Sequence, residues 1–375
     1  MRITLVTETY FPQVNGVSRT LGQLVRHLIE AGDTVQLIHP DYGETRQSEH
    51  DLLVWSKVLL FYKEVVVPIP PFGHVHRAIK MFAPDIVHIA TEATLGLSAL
   101  RYVRKRQIPV VSSFHTNFDQ YTRHYRLGFT NGTVWKYLRW FHNRTAETYV
   151  PSNATISELA ARGFERLVLW QRGVHADVFR PDRPGRETLR TQYSFQPDNV
   201  VIGHVSRLAP EKNVGLLGDA LRQVVSQRPN VKILFVGDGP SRPSLEKALG
   251  KIAVFAGYRS GDDLADHYSA CDLFAFASLT ETFGNVVLEA MSSGLPVVAV
   301  RAGGVGDTVQ DDKTGLLVEP TDPASKLAEA LITLVDDQVR RNRLSKNARE
   351  YALEQSWDAI MSNLRQRYRS VLGLV

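Results

Sequence analysis

The densest group of residues that could do chemistry lies between positions 281 and 289. Glu281 and Glu289 bracket a segment in which Gly284, Asn285 and Val286 are expected to open a helix. Free amide groups at a helix N-terminus favour an anion such as phosphate. Eight residues of helix rise about 12 Å, whereas the carboxylates of a glycosidase pair lie about 5–9.5 Å apart. Buried acids near a phosphate site usually bind hydroxyls, such as those of a ribose diol. Two separate binding roles therefore fit these acids better than one catalytic pair.

Two cations follow a predicted strand in the same half of the chain. Arg207 and Lys212 flank the turn after the strand 200–205. An arginine fork and a lysine point charge could clamp a diphosphate there. The competing interpretation is a surface salt bridge with Glu211. The carboxyl end of a strand is where parallel sheets bind ligands, and this position favours the clamp.

Two positions in the first half also follow strands. His115 comes directly after the predicted strand 110–113, and Gly16 lies in the loop between the first strand and the first helix. Glycine lets the backbone approach a ligand closely, although it often serves only as a turn residue. A lone histidine is usually structural, so position is its only advantage. No G-x-G-x-x-G motif follows the first strand of either half, which counts against a dinucleotide oxidoreductase.

Aromatic and basic residues are mixed in one segment of the first half, among them Trp135, Lys136, Arg139 and Trp140. This composition is typical of an amphipathic helix at a membrane interface, and equally of a core helix with basic edges. Residues 1–180 carry 21 Lys/Arg and 15 Asp/Glu, a balance of +6, whereas the remainder carries 23 and 24, a balance of −1. The basic half indicates either an anionic surface or substrate or simply a solvated face. Nucleic acid is the weaker alternative because no recognised nucleic-acid module occurs.

The elements that must position these residues alternate between apolar strands and amphipathic helices. This alternation predicts parallel sheets that are covered by helices on both faces. We therefore expect an α/β protein with two Rossmann-like, doubly wound domains that face each other across a cleft. The expected domains are 1–180 and 181–353, with a linker at 181–198 and a C-terminal helix at 354–375 that packs back on the first domain. Strands are expected at 3–7, 34–38, 86–89, 110–113, 200–205, 231–236, 252–255, 273–277 and 297–300.

Composition narrows the class of protein. A chain of 375 residues with 43 % apolar and 22 % charged residues is ordinary for a globular protein of two domains. The single cysteine, Cys271, excludes an intramolecular disulfide and fits a reducing cytoplasm. No signal-peptide pattern is found at the N-terminus, and charges interrupt the most apolar stretch, 52–71. We expect a cytoplasmic protein, peripheral on the inner face of the cytoplasmic membrane.

The motifs, in this order and spacing, resemble those of retaining GT-B glycosyltransferases of the group 1, or family 4, type. The resemblance covers essentially the whole chain. In the first half it is similar to the subgroup of lipid-directed α-mannosyl-, glucosyl- and sulfoquinovosyltransferases. The matching segments are Phe11–Val17, Phe114–Thr116, Gly173–Phe179, Ser206–Asn213, Gly237–Pro240, Glu281–Glu289 and Gly294–Val298.

The resemblance implies a role for each matching residue. His115 would contact the donor sugar, and Glu281 would hold its hydroxyls. Arg207 and Lys212 would neutralise the diphosphate and stabilise the leaving group. The remaining donor contacts would come from Asn15 and Gly16 in the first loop, Tyr258 and Arg259 beside the base, the backbone of Phe283, Gly284, Asn285 and Val286, and Glu289 at the ribose diol. Many relatives have a second glycine where this chain has Asn15.

The resemblance also implies an activity. It is the retaining transfer of a hexose from a nucleoside diphosphate sugar, of the GDP-mannose or UDP-glucose type, to a membrane glycolipid or diacylglycerol-type lipid. The alternatives are a soluble or polysaccharide acceptor, or a nucleotide-sugar 2-epimerase on the same fold. No tightly bound cofactor is expected, and the sequence requires no metal because its site motifs lack Asp-x-Asp. Trp135, Lys136, Arg139 and Trp140 are expected to face an anionic membrane, and no specific nucleic acid is expected.

Overall fold

The structure of the chain is a computed structural model that describes residues 1–13, 16–43, 48–59, 62–68, 73–115, 131–281 and 283–374. The chain divides into two compact units. Unit 1 comprises Met1–Gln171 together with Asp358–Val375, and unit 2 comprises Arg172–Trp357. The boundaries between the units thus lie at 171/172 and 357/358, whereas the sequence analysis expected them at 180/181 and 353/354.

The strands of unit 1 are short and largely apolar. They are β1 (Arg2–Val6), β2 (Thr34–Pro40), β3 (Leu52–Val54), β4 (Ser56–Leu59), β5 (Tyr62–Pro68), β6 (Ile86–Ile89), β7 (Val110–Ser113), β8 (Thr148–Val150) and β9 (Leu167–Leu169). Seven of them form a parallel sheet in the order β3-β2-β1-β6-β7-β8-β9, and β4 and β5 form a separate antiparallel pair. All residues of β6 and β7 are buried, because both faces of a parallel sheet are covered. The strands predicted at 86–89 and 110–113 are confirmed.

Helices cover this sheet. They are α1 (Gly16–Glu30), α2 (His74–Phe82), α3 (Thr94–Arg106), α4 (Asn131–His142) and α5 (Asn153–Ala161). Helix α1 buries Leu21, Leu24, Val25 and Leu28, the i, i+3, i+4, i+7 pattern of an amphipathic helix. The helix ends at Glu30, and Gly32 just beyond it has a φ of +80°, which glycine adopts at little cost.

Unit 2 has a second parallel sheet. Its strands are β10 (Val200–Val205), β11 (Val231–Val236), β12 (Ala253–Gly257), β13 (Leu273–Phe276), β14 (Val297–Val300) and β15 (Gly315–Val318). Their order is β12-β11-β10-β13-β14-β15. The strands predicted at 200–205, 231–236 and 297–300 match these bounds, and the other two differ by one or two residues. The expectation of two doubly wound α/β sheets is therefore confirmed.

The helices of unit 2 include one in a segment that the sequence suggested was a linker. They are α6 (Gly185–Gln192), α7 (Val214–Gln227), α8 (Arg242–Leu249), α9 (Gly261–Ser269), α10 (Asn285–Ser292), α11 (Gly303–Thr308), α12 (Pro323–Asp336) and α13 (Gln338–Glu354). The linker interpretation of 181–198 is wrong, because α6 lies within it and inside unit 2. Arg186 and Arg190 of α6 pair with Asp272 at 2.9 and 3.1 Å, so the charges that suggested a solvated linker are anchored in the fold.

The last helix, α14 (Trp357–Val371), completes unit 1 from Asp358 onward. It buries an apolar side that includes Leu364 and Tyr368. Two arginines then fix its polar edges. Arg365 lies 2.6 Å from Asp33, and Arg367 pairs with Glu147. The C-terminal segment of the chain thus belongs structurally with its N-terminal part.

Candidate functional site

The candidate residues of unit 2 lie at the carboxyl ends of β10 and β13. These strands are neighbours in the middle of the sheet, with β11 on the far side of β10 and β14 on the far side of β13. A change in strand order of this kind opens a crevice at the carboxyl ends of the strands, where α/β folds bind ligands. The segment 206–213 follows β10, and 277–284 follows β13. Unit 2 therefore brings the two most informative motifs of the sequence to one place.

Lys212 and Glu281 form an ion pair in this crevice. The Nζ of Lys212 lies 2.5 Å from Oε1 of Glu281, and the two side chains are 24 % and 15 % exposed. The hydroxyl of Thr280 donates to the carbonyl of Glu211 at 3.2 Å, which ties the two loops together. Because an ammonium group has three donors, Lys212 can hold Glu281 and an anionic oxygen at the same time.

Glycine at position 303 lets the backbone of Glu281 pack closely against α11. The amide of Gly304 donates to the Glu281 carbonyl at 2.9 Å. A Cβ on Gly303 would lie 2.3 Å from that carbonyl oxygen, and the φ of Gly303 is +50°. A side chain at 303 would displace the loop that holds Glu281. The sequence analysis missed this glycine, which the pair Gly303-Gly304 after a strand could have signalled.

Arg207 is placed differently from Lys212. Its side chain is 67 % exposed and pairs with Glu211 four residues on. This is the surface salt bridge that the sequence left open as the competing interpretation. Arg207 nevertheless follows β10, as Lys212 does, and an exposed pair of this kind contributes little stability. Arg207 can therefore leave Glu211 for a more strongly bound anion at small free-energy cost.

The N-terminus of α10 adds backbone donors to the crevice. Phe283 is buried, and Gly284 precedes the helix with a φ of +85°. The helix then starts at Asn285, one residue later than the sequence suggested. No acidic side chain occupies its first turn, so the amides of Asn285 and Val286 and the helix dipole favour an anion there.

Glu289 lies one turn into α10 and has a separate environment. The hydroxyl of Tyr268 donates to its Oε2 at 2.9 Å and lies 3.2 Å from the carbonyl of Val286. Burial raises the pKa of Tyr268 well above its ordinary value, and the neighbouring Glu289 adds to the rise. Tyr268 therefore stays a donor that orients the carboxylate. Glu281 and Glu289 have different partners, as two separate binding roles require.

The two residues expected beside the base lie further along the sheet. Tyr258 and Arg259 follow β12, an outer strand that is separated from β10 by β11. Tyr258 is 67 % exposed, and Arg259 pairs with Asp263 at 3.3 Å. They share the carboxyl edge of the sheet with the ion pair. An aromatic ring exposed at this edge offers a stacking surface for a base.

Unit 1 contains the remaining predicted contacts. His115 follows β7, and its Nε2 lies 2.8 Å from Oγ of Ser113. Gly16 is the first residue of α1, and a Cβ there would meet none of the described atoms within 4 Å. Packing within the described part of the chain thus does not require glycine at position 16. Asn15 lies outside the described residues.

An acid that the sequence analysis missed also lies in unit 1. Glu8 follows β1 and accepts hydrogen bonds from the amides of Leu95 and Gly96 at 2.8 and 3.2 Å, and from the hydroxyl of Thr91. Burial raises the pKa of Glu8 from 4.5 to about 8, although the amide of Gly96 works against the rise. Burial also raises the pKa of Glu92 to about 7. An acid that directly follows a strand is the signal that could have identified Glu8.

The aromatic and basic segment forms α4. Lys136, Arg139 and Trp140 are exposed, and together they are called the α4 face. Trp135 is half-buried and packs into the hydrophobic cluster around Phe114. The core-helix interpretation therefore describes Trp135, while the α4 face retains the composition of an interfacial surface. None of the described helices has the length and apolarity that a membrane crossing requires.

Over the residues that the structure describes, no group of three or more His, Cys, Asp or Glu side chains could hold a metal ion. The single cysteine, Cys271, is buried, and burial raises the pKa of its thiol.

Comparison with known proteins gives the family. The family model for glycosyl transferases group 1 matches residues 185–351, and the model for Glycosyltransferase Family 4 matches residues 14–178. A GDP-mannose-dependent alpha-mannosyltransferase of Mycobacterium tuberculosis is 35 % identical over 100 % of this chain and 97 % of its own length. The sulfoquinovosyl transferase SQD2 of Arabidopsis thaliana is 33 % identical over 98 % of this chain and 73 % of its own. An alpha-monoglucosyldiacylglycerol synthase of Streptococcus pneumoniae is 28 % identical over 97 % and 87 %.

Solved structures share the fold. Anabaena Alr3699/HepE, crystallised with UDP and glucose, has a TM-score of 0.77 at 21 % identity over 99 % of this chain and 100 % of its own. Sucrose-phosphate synthase of Thermosynechococcus elongatus has a TM-score of 0.79 at 22 % identity over the full length of both chains. The paired parallel sheets are those of the GT-B class. With its two family models, its relatives and its crevice of paired charges, the chain belongs to the group 1 glycosyl transferases and is a nucleotide-sugar-dependent glycosyltransferase.

Proposed function

We propose that the chain transfers a hexose from a nucleoside diphosphate sugar to a hydroxyl group of a membrane lipid, with retention of the anomeric configuration. The observation that carries the proposal is the Lys212–Glu281 ion pair beside the N-terminus of α10. In this pair, a cation that can bind a diphosphate lies next to a carboxylate that can bind sugar hydroxyls. The M. tuberculosis relative makes GDP-mannose the first donor to test, and the S. pneumoniae relative supports a diacylglycerol-type acceptor.

In this reaction the bond between the sugar C1 and the phosphate oxygen breaks, and the diphosphate leaves with negative charge. The ammonium of Lys212 and the amides at the start of α10 can stabilise that charge, and Arg207 can join them by leaving Glu211. Groups directed at charge that develops in the transition state accelerate such steps. The acceptor oxygen forms the new bond to C1 on the same face, and its proton passes to the leaving phosphate oxygen. No covalent enzyme intermediate is needed.

The two acids of unit 2 then bind hydroxyls. Glu281 accepts hydrogen bonds from the transferred sugar while it holds Lys212 in place. Glu289, oriented by Tyr268, accepts hydrogen bonds from the ribose diol. Both roles need an ionised carboxylate, which accepts but does not donate.

Substitution of Glu281 tests this assignment. Glu281→Gln keeps the size of the side chain but removes its charge, so we expect turnover to fall by roughly a hundredfold or more, while GDP still stabilises the protein against heating. Lys212→Gln should lose both turnover and stabilisation by GDP. Glu246→Gln, which removes an exposed carboxylate paired with Arg242, is the matched control. Near-normal turnover in Glu281→Gln would contradict the assignment.

The acceptor is tested in the same assay. Transfer should require diacylglycerol or a glycolipid in vesicles, and soluble sugars and polysaccharides should not replace it. Sugar transferred to a soluble glycan would contradict the lipid acceptor. Conversion of the donor to an isomer in the absence of any acceptor would indicate a 2-epimerase. The configuration of the product, read by NMR of the anomeric proton, checks retention.

We also propose that the α4 face binds the anionic lipids of the inner surface of the cytoplasmic membrane. Its two cations and exposed indole have the composition of an interfacial helix. The double variant Lys136→Glu/Arg139→Glu should no longer sediment with phosphatidylglycerol vesicles. Arg343→Glu/Lys346→Glu, two exposed cations of unit 2, is the control and should sediment as the wild type does. Equal sedimentation of both variants would contradict the proposal.

A further inference from the structure

A line of four hydrogen-bonded side chains runs through the interior of unit 1 and ends at His115. The hydroxyl of Tyr368 lies 2.6 Å from Nδ1 of His88. Nε2 of His88 lies 2.9 Å from Oγ of Ser113, and that oxygen lies 2.8 Å from Nε2 of His115. The line joins α14, β6, β7 and the loop after β7. It therefore links the C-terminal helix to a candidate site residue.

His88 is the inner member that decides how protons are arranged. Its side chain is fully buried, and burial lowers its pKa to about 3. The rings of Tyr149, Trp170 and Tyr368 lie edge-on around it at 5.6 to 5.8 Å. A neutral imidazole carries one proton, so one of its nitrogens donates and the other accepts.

The hydrogen bond between Tyr368 and His88 sets the direction of the line. His88 is the hydrogen-bond partner of the Tyr368 hydroxyl among the residues that the structure describes. If the phenol donates to Nδ1, His88 must donate from Nε2 to Ser113, and the Ser113 hydroxyl then donates to Nε2 of His115. The opposite direction would bury the phenol proton without an acceptor, which is unfavourable. The favoured direction gives each of the three hydrogen bonds of the line one donor and one acceptor.

We propose that Tyr368 and His88 are positioning residues that hold His115 in the tautomer with its proton on Nδ1. Nε2 of His115 is then an acceptor occupied by Ser113, and Nδ1 is the donor of the ring. A donor at this position can hydrogen-bond a hydroxyl oxygen of the transferred sugar. That last step rests on the proposed function, whereas the tautomer itself depends only on unit 1. A tautomer fixed by the partner of the other nitrogen is a general means of orienting a functional histidine.

Nitrogen-15 NMR of the histidine side chains tests the tautomer without any substrate. The His115 signals are assigned by comparison with His115→Gln, and the wild type should show a proton on Nδ1 and none on Nε2. Tyr368→Phe keeps the ring but removes the donor, so His115 should become a mixture of both tautomers. Tyr149→Phe is the matched control, since the Tyr149 ring also packs on His88 while its hydroxyl is not a member of the hydrogen-bonded line.

Kinetics then separate this proposal from the proposed function. In Tyr368→Phe we expect kcat to fall roughly threefold to tenfold, the contribution of one ordinary hydrogen bond, with unchanged stabilisation by GDP. A wild-type His115 with its proton on Nε2, or an unchanged tautomer in Tyr368→Phe, would overturn the proposal. If Tyr368→Phe does not fold, Ser113→Ala breaks the same line and replaces it. The predicted tautomers in a protein that transfers no sugar would support the hydrogen-bonded line and contradict the proposed function.

Discussion

The raised pKa of Glu8 predicts how the stability of unit 1 depends on pH. The carboxyl has a higher pKa in the folded chain, about 8, than the 4.5 of an unperturbed glutamate, because burial disfavours its charged form. Between these two values the folded chain binds more protons than the unfolded chain, so stability falls as the pH rises. Glu8→Gln removes the titration. It keeps an oxygen for the amides of Leu95 and Gly96 and adds an NH2 group that can donate to Thr91.

The size of the effect follows from the two pKa values. Each pKa unit corresponds to about 1.4 kcal/mol, and pH 7 lies 2.5 units above 4.5 and below the folded pKa. Relative to Glu8→Gln, the wild type should therefore lose about 3 kcal/mol of unfolding free energy between pH 4.5 and pH 7. Glu8 is only partly buried, so this is an upper value.

Urea unfolding followed by tryptophan fluorescence measures this difference. Trp55, Trp135, Trp140 and Trp170 lie in unit 1, and Trp357 alone lies in unit 2, so the signal reports mainly on unit 1. His88 and His142, whose pKa values are lowered to about 3 by burial, act in the opposite direction below pH 6.5. Their effects cancel when the variant is compared with the wild type at each pH.

The control is Glu49→Gln, which removes a carboxylate that is 87 % exposed. Its unfolding curves should follow those of the wild type at every pH. If Glu8→Gln also keeps a constant difference from the wild type from pH 4.5 to pH 8, Glu8 is ionised in the folded chain and the argument from burial is refuted.

Three further predictions concern other contacts. Tyr268→Phe removes a hydrogen bond to Glu289, so the KM for the nucleotide sugar should rise several-fold with kcat little changed; a lower kcat at constant KM would place Glu289 in the chemical step. Gly96→Ala puts a Cβ 2.0 Å from the Thr91 carbonyl oxygen and should destabilise unit 1 by about 1–3 kcal/mol, whereas Gly132→Ala, with no described atom within 4 Å, should be neutral in urea unfolding. At Asp33, burial raises the pKa, but hydrogen bonds from Arg365 and the Met1 amine outweigh it and hold the pKa below its ordinary value. Its contribution to stability is thus present above the ordinary pKa of 3.8 and is lost as the pH falls through the folded value. Arg365→Met should therefore move acid unfolding to a higher pH, and Arg369→Met, which removes a donor to the Leu374 carbonyl, should not.

The central strands could be predicted because local information defines them. Strands such as β6 and β14 are buried on both faces and therefore consist of continuous apolar runs. Charged segments are harder to interpret, because their structural role depends on partners that lie far away in the sequence. Helix α6 has the composition of a linker. Only the pairing of its arginines with Asp272, about 80 residues further on, shows that it belongs to the fold. Likewise, the composition of α4 fits a core helix and an interfacial helix equally. Only the packing shows that Trp135 joins the hydrophobic cluster while Trp140 is exposed.

The candidate site shows the same division. The positions of Lys212 and Glu281 after strands were evident from the sequence, but their pairing joins residues 69 positions apart and needed the strand order of the sheet. The line from Tyr368 to His115 spans most of the chain and carries no local signal. Burial of Glu8 depends on α3, which lies far along the chain. Sequence patterns thus identify groups at strand ends, and only the assembled sheet shows which of them meet.

Helix α14 has a consequence for synthesis on the ribosome. Unit 1 is assembled from two stretches, and the second leaves the ribosome only after the whole of unit 2. At roughly 5–20 residues per second, the 186 residues from 172 to 357 take about 10–40 s. During that time the nascent unit 1 lacks the residues that cover His88 and pair with Asp33. Unit 1 can therefore close its core only when the turns of α14 have been synthesised.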